Sequence, residues 1–529
     1  MTTGGFIIRI QIFTVLFLLL AFSCSENKAE EADAGMDAEV DSGKAAGGDS
    51  DIDSDSDVDA SMDSGSDAGQ DSSTDNDATL KSKDLVWAVR AGGVSEDMGR
   101  HVAVGNDGSV FVAGIYYGEA TFDKGDSSDY VMSADCISTA DCMEDIFIAR
   151  YNADGRLQWV NSITGRGNDN GNGIAVVTDG SVVVVGDYSE TVKFRNDDST
   201  LEMLTAEGRT DIFIAGYSSD GDLEWVKRAG GSGIEKAYSM SEVVDSHFVV
   251  AGSIGSWVVF GEGENNETVI DEGGMFVAKY NIHGTLVWVK RYEVGGLDVD
   301  IDMCTDGSSL ITGYYYPSDT KKDVFIAKIE DSGVLEWIQS AEGPGDDRAR
   351  GVKAFQDCSA VITGGFLEKI TFGKGSSRET TLRSAGAADI FIARYEPDGS
   401  LEWAKSAGGD SSDSGEDIAV YSDGSFVLTG SFSWDATFGQ GEEGETYIIS
   451  NGRSDVFISG YDTAGNLTWI KNAGGGDFDQ GNGITIAPDD SILCTGYFYL
   501  FGTFGINEPN ETVLSSEGYE DIFIAKFTP

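Results

Sequence analysis

Seven tryptophans, Trp87, Trp159, Trp225, Trp288, Trp337, Trp403 and Trp469, stand in short apolar stretches, and ten residues after each comes a carboxylate. These are Asp97, Asp169, Glu235, Asp298, Asp347, Asp413 and Asp479. Two chemistries suit an acid that recurs at fixed spacing in a Gly-rich link. One is capping, in which the carboxylate accepts backbone N–H groups of the turn. The other is a ring of hard oxygen ligands for Ca²⁺ or for a cationic group. Recurrence in every repeat favours capping, because a ligand site breaks the symmetry of its scaffold.

Other groups with chemical potential are sparser. Tyr116-Tyr117, Tyr314-Tyr315-Tyr316, Trp434 and Tyr497-Phe498-Tyr499 form aromatic clusters that suit stacking on sugar rings or anchoring a protein partner. About half of them are expected to lie beneath their own loops. The three histidines, His101, His247 and His283, fall in different parts of the repeat, which gives no support to a metal or Ser-His centre. Cys136 and Cys142 share one long loop and are expected to form a disulfide in an exported chain. Cys304, Cys358 and Cys494 read as small buried residues, and the absence of C-x-x-C removes support for zinc. No cofactor is expected beyond Ca²⁺. Paired carboxylates for glycoside hydrolysis remain open, since the chain has acids in excess and nothing singles out one pair.

The elements that must position these residues repeat seven times. Each repeat holds four short β-rich runs: an IAV-like run, an SVxVxG-like run, a DIFIA-like run and an LxW run, as in Ile174 to Gly186, Asp145 to Ala149 and Leu223 to Trp225. Asp-Gly or a near equivalent separates the first pair and the last pair (Asp107-Gly108, Asp154-Gly155), so both junctions are hairpins. Four strands per repeat arranged radially make a propeller blade. The folded part opens with an LxW run and closes with a DIFIA run, Asp521 to Phe527. The two ends therefore share the seventh blade, and the ring leaves no open edge. The expectation is an all-β, seven-bladed β-propeller of four-stranded blades over residues 84–529.

The segment DIFIARYNADGRLQW, followed by a Gly-rich link and GIAVVTDGSVVVVG, resembles the bacterial seven-bladed β-propeller repeat family. That resemblance implies the fold and no shared catalytic activity. The fourth repeat departs from the pattern: it is short, and it lacks the TFG stretch found at Thr371-Phe372-Gly373 and Thr503-Phe504-Gly505. The hairpin turns fall on one face. The longer connections between second and third strands fall on the other, which is the expected binding face. The tryptophans and the DIFIA phenylalanines are expected in the core between blades.

Ahead of the repeats, Arg9 precedes an apolar run from Ile10 to Phe22, too short for a membrane span. Ala21-Phe22-Ser23-Cys24 resembles a bacterial lipoprotein signal, which implies that residues 1–23 are removed, that Cys24 is lipidated and that Ser25 directs the protein to the outer membrane. An ordinary cleaved signal is the alternative. Residues 24–83, with 18 acids and four lysines between 25 and 83 and no aromatic residue, read as an acidic disordered tether. The net charge of −56 excludes nucleic acid as a partner. Together these features describe a monomeric, lipid-anchored envelope protein that binds a protein or a glycan without catalysis. The alternatives are a polysaccharide-active propeller enzyme and a purely structural envelope protein.

Overall fold

The computed structural model describes residues 83–122, 129–135, 143–196, 199–294, 296–318 and 321–529. The expected signal, Cys24, nearly all of the tether and the Cys136/Cys142 pair lie outside the described residues. Within them the chain is an all-β propeller. Blades one to six span residues 98–165, 170–231, 236–292, 297–341, 348–407 and 414–473, each with four antiparallel strands in sequence order from the centre outward. The seventh blade combines Gln480–Ile486, Ile492–Phe504 and Thr512–Phe527 with Leu85–Gly93 as its outermost strand. Ala88 pairs Ala525 and Arg90 pairs Phe523, so the two chain ends close the ring as the order of the runs required.

Local chemistry explains the strand-turn rhythm. In the first hairpin of blade one, Ser109 donates its backbone N–H and its hydroxyl to the Asp107 carboxylate, both at 2.9 Å, while Gly108 takes a φ of +79°. Asp179-Gly180-Ser181 and Asp423-Gly424-Ser425 repeat the device. Hydrogen bonds from these serines hold the carboxylates below their usual range, so the turns are best formed when ionised.

The connections between second and third strands are not free loops. In six blades they fold into a second hairpin whose base pairs with the end of the preceding blade's outer strand. Thr121 pairs with Gly92, Lys193 with Thr164, Val259 with Gly230, Thr371 with Glu342, Thr437 with Gly408 and Thr503 with Gly474. A phenylalanine from each hairpin packs at a tilt against the DIFIA phenylalanine of its own blade: Phe122 on Phe147, Phe260 on Phe276, Phe438 on Phe457 and Phe504 on Phe523, at 4.8 to 5.2 Å between ring centres. The hairpin tips add a clamp. Glu264 and Glu442 each take a lysine of the preceding blade (Lys227, Lys405) and the backbone N–H of their own blade's outer strand (Leu286, Leu467). Glu508 does the same for Lys471 and Leu85, fastening the N-terminal strand. The fourth blade has no such hairpin, as its shortness indicated.

One expectation about the core is corrected. The DIFIA phenylalanines are buried and the tryptophans pack against the clusters between blades, Trp469 within the buried set and the other six half-buried on the outer strands. There the indole lies on a glycine of the next blade's outer turn, where no side chain would fit: a Cβ on Gly155 would come 2.7 Å from Trp87, and the Trp87 Nε1–H donates to Ala153. Cys304 and Cys358 are not isolated thiols. They form a disulfide, with Cα atoms 5.4 Å apart, joining the first hairpin turns of blades four and five. Their positions in the two turns differ, and it is the stacking of neighbouring blades that brings them together. Cys494 is free and buried.

Candidate functional site: the loop face and the central channel

Six of the seven link acids occupy one structural position and are fully buried: Asp97, Asp169, Glu235, Asp347, Asp413 and Asp479. Five of these, the aspartates, accept the backbone N–H of the residue twenty positions on, from Tyr117, Ser189, Leu367, Ser433 and Tyr499 respectively. Asp97, Asp413 and Asp479 also take an N–H four residues back, from Gly93, Gly409 and Gly475 at 2.6 to 2.9 Å. Each aspartate thus ties the link between blades to the start of the hairpin arm, while neither carboxylate oxygen of Glu235 finds a donor.

Asp298 does not belong to this set. Leu297 pairs Tyr314 as Met98 pairs Ile115, so Gly296 stands in the place of Asp97 and Asp298 is an exposed residue at φ +47° beside the channel. The link in this sector is two residues shorter, and constant spacing from the tryptophan concealed it.

Each buried acid also faces the aspartate that opens the DIFIA run of the preceding blade. A Cβ on Gly474 would lie 2.6 Å from Asp479 Oδ2 and 2.8 Å from Asp455 Oδ1, and Gly408 is wedged in the same way between Asp389 and Asp413. Only glycine leaves room there. Burial, reinforced by the neighbouring carboxylate, pushes Asp479 and Asp413 up to about 7 and Asp169 up to about 9; burial alone puts Asp455 at about 6. Asp169 Oδ2, Asp347 Oδ2, Asp389 Oδ1 and Asp455 Oδ1 have no hydrogen-bond donor. The Asp145/Asp169, Asp389/Asp413 and Asp455/Asp479 pairs thus hold a proton near neutral pH, whereas in the other three a cation meets the DIFIA aspartate: Arg90 on Asp521, Arg228 on Asp211 and Lys321 on Asp323. Closed off from solvent, they offer a polysaccharide no access.

The aromatic clusters divide. Tyr116 is fully buried and Tyr314 nearly so, which removes both from ligand contact; Phe498 is buried as well. Tyr117, Tyr315, Tyr497 and Tyr499 are half-buried, whereas Tyr316 and Trp434 are exposed. More apolar groups join them on the loop face of blades six, seven and one: Phe478, Leu500, Phe501, Tyr519 and Val94. Their neighbours connect them. Phe501 packs on Gly475 and Gly476, Tyr499 lies 6.2 Å from Tyr519, and Gly518 touches Val94.

The central channel holds polar side chains that the sequence reading passed over. Every first strand carries an irregularity at one place, such as Gly99/His101 and Gly415/Asp417, and such a bulge turns two successive residues toward the channel. The second of these is Gly, Ser, Gly and Gly in blades two, three, five and seven but His101, Asp300 and Asp417 in the others. This break of symmetry was readable once the runs were aligned on the bulge. His101, Asp300 and Asp417 line both the loop-side cavity of about 470 Å³ and the turn-side cavity of about 350 Å³, and so form the waist.

Most of these groups are spent on joining blades. Asp300 accepts from Ser239 Oγ and Val352 N, Asp417 from Ile484 N, and Arg350 pairs with Glu416 at 3.4 Å. Lys353 of blade five reaches Glu242 of blade three at 2.9 Å and Asp302 of blade four at 3.7 Å. Burial, with the Lys353 charge, lowers His101, whose Nδ1 has no partner; burial raises Asp302 to about 6 and, with Asp300, raises Asp417 to about 7. His247 and His283 lie at the turn end, away from His101. Among the described residues the one group of metal-ligating side chains, Cys304, Asp306 and Cys358, contains the disulfide.

No family model matches the chain. It is 22% identical to an uncharacterised WD repeat-containing protein of Acanthamoeba polyphaga mimivirus over 537 residues, covering 84% of this chain and 38% of that protein. The chain thus matches well under half the length of that relative. Among solved structures it is similar to the Pan2 WD40 domain of Neurospora crassa (9% identity, TM-score 0.39, 82% of this chain and 89% of that one). A puromycin hydrolase aligns at 10% identity and a TM-score of 0.40, over 84% of this chain and 55% of that one. Sequence repeats and blade geometry together make this a β-propeller repeat protein.

Proposed function

We propose that this chain is a non-enzymatic binding module of the bacterial cell envelope, lipidated at Cys24 and monomeric, that presents its loop face to a protein partner. The observation that carries the reading is the run of exposed apolar side chains across blades six, seven and one, with Val94 66%, Trp434 64%, Tyr519 58%, Leu500 48% and Phe478 and Phe501 46% exposed. Large aromatics left in water on a rigid scaffold are what binding hot spots are made of. The acidic surroundings favour a partner with a cationic rim. Export is supported by the Cys304–Cys358 disulfide, a bond that persists in oxidising compartments. Where Ca²⁺ assists, its place is the buried carboxylate pairs, in which a cation would substitute for the proton.

The test compares the full chain with a variant carrying Trp434→Ser, Phe501→Ser and Tyr519→Ser, by crosslinking to envelope proteins and on a glycan array. A tenfold loss of protein crosslinks at unchanged melting temperature supports the reading. Unchanged crosslinks refute it, and binding to glycans alone moves the assignment to a sugar ligand.

A further inference from the structure

The fourth blade leaves uncovered a surface that this chain covers with its own hairpins everywhere else on the ring. In six sectors a hairpin phenylalanine fills the space over the DIFIA phenylalanine, and four residues later in three of them a glutamate takes the lysine of the preceding blade. Between blades three and four there is no hairpin, and three things change. Leu335 is 39% exposed, whereas Leu85, Leu286, Leu401 and Leu467 are all below 5% and the remaining equivalents, Leu157 and Leu223, are half-buried. Ile338 is 40% exposed, against 4% and 5% for Val160 and Val289, with Val226 and Ile470 half-buried. Lys290, the counterpart of Lys227, Lys405 and Lys471, makes no ion pair among the described residues.

A groove of about 790 Å³ results, lined by Tyr292, Val294, Tyr316, Phe325, Leu335 and Ile338 among others. Tyr292 replaces the alanine found at this position in five of the other six blades, the sixth having Ile163, and fills part of the gap, donating its hydroxyl to Gly333 at 2.9 Å. Val294 stands where five other blades have a glycine that a hairpin carbonyl approaches too closely for any Cβ, at 1.6 to 2.1 Å. Backbone pairing in the register used elsewhere is therefore closed. The apolar socket and the free lysine remain open.

We infer that this groove is a second interaction surface, separate from the apolar patch of blades six, seven and one, and that it takes the tip of a β-hairpin from a protein partner presenting an aromatic side chain followed four residues on by a carboxylate. The aromatic ring would lie on Tyr292, Leu335 and Ile338, and the carboxylate would meet Lys290. The six intramolecular copies of the aromatic contact, three of them with the glutamate–lysine pair, define the occupant's chemistry.

The probe is a cyclised peptide with the sequence of residues 435–449 of this chain, which contains the Phe438 and Glu442 of one such hairpin. Binding to the full-length protein is followed by fluorescence anisotropy, with analytical ultracentrifugation of the protein alone. Expected is saturable binding that weakens at least tenfold in Lys290→Glu and in Ile338→Asp, and equally when the peptide carries Phe438→Ser. Lys374→Glu, on an exposed lysine of another sector, serves as the control and keeps wild-type affinity. No binding to the wild type, or equal binding to all variants, overturns the inference. Concentration-dependent dimers abolished by Ile338→Asp would assign the groove to a second copy and overturn the assignment to a different protein. Lys290→Glu changes only an exposed side chain, so its result stands even if Ile338→Asp misfolds.

Discussion

Replacing Asp455 by asparagine should stabilise the protein at pH 8 and leave it nearly unchanged at pH 4. Asp455 Oδ2 accepts from the backbone and side-chain nitrogens of Asn451 at 3.0 and 3.1 Å, and an asparagine carbonyl can keep those bonds. The other oxygen faces Asp479 across Gly474 without a donor of its own. Turned into an amide NH₂, it becomes a donor to Asp479. The folded-state values of about 6 for Asp455 and about 7 for Asp479 lie above the ~3.9 of an unfolded aspartate. A raised carboxyl pKa means that the folded state binds the proton more tightly. Its contribution is full below pH 4 and is lost as the pH climbs through 6 to 7. At ~1.4 kcal/mol per pH unit the cost of ionising Asp455 alone approaches ~3 kcal/mol at pH 8. Shared titration with Asp479 reduces what one substitution recovers to ~1–3 kcal/mol. For a propeller of this size that is roughly 1–3 °C in melting temperature. The assay is thermal and denaturant unfolding of wild type and variant from pH 4 to 9, with 5 mM chelator and then with ~5 mM Ca²⁺. A variant less stable than the wild type at pH 8 in chelator would refute the repulsive-pair reasoning. A variant less stable only when Ca²⁺ is present would show that the pair is a cation site.

Four further outcomes can be measured, the first three resting on named contacts. Cys304→Ser removes a cross-link between residues 54 apart and should cost up to ~4 kcal/mol, read as the difference between oxidised wild type and variant, with no difference between the two in reductant. Phe438→Ala empties the socket over Phe457 and should cost ~3–5 kcal/mol in denaturant unfolding, whereas a loss below 1 kcal/mol would mean that the hairpin is not part of the core. Deleting residues 84–91 removes the outer strand of blade seven and the N–H that Glu508 accepts, so the truncated protein should melt well below the wild type; an unchanged melting temperature would contradict closure by the chain ends. Cys24→Ser should shift the protein from the membrane to the soluble fraction of a bacterial lysate, and retention in the membrane would argue against lipid anchoring.

The sequence alone determined the blade count, the strand order, the hairpin turns and the shared seventh blade, because each rests on local chemistry. Alternating apolar residues, Asp-Gly turns and a tryptophan every blade are set by neighbours a few positions away. The incomplete fourth repeat was equally legible from its length. Tertiary structure decided what depends on contacts between blades. Whether an acid ten residues after a tryptophan is buried depends on how the link meets the next blade's first strand, and a link two residues shorter excludes Asp298. Whether a tyrosine after the second strand can meet a ligand depends on what packs over it, which buries Tyr116 and exposes Trp434. The pairing of Cys304 with Cys358, the docking of each hairpin on the preceding blade and the channel waist of His101, Asp300 and Asp417 all arise from seven sheets stacked around an axis. In that arrangement residues dozens to hundreds of positions apart become neighbours, and no local pattern records the distance between them.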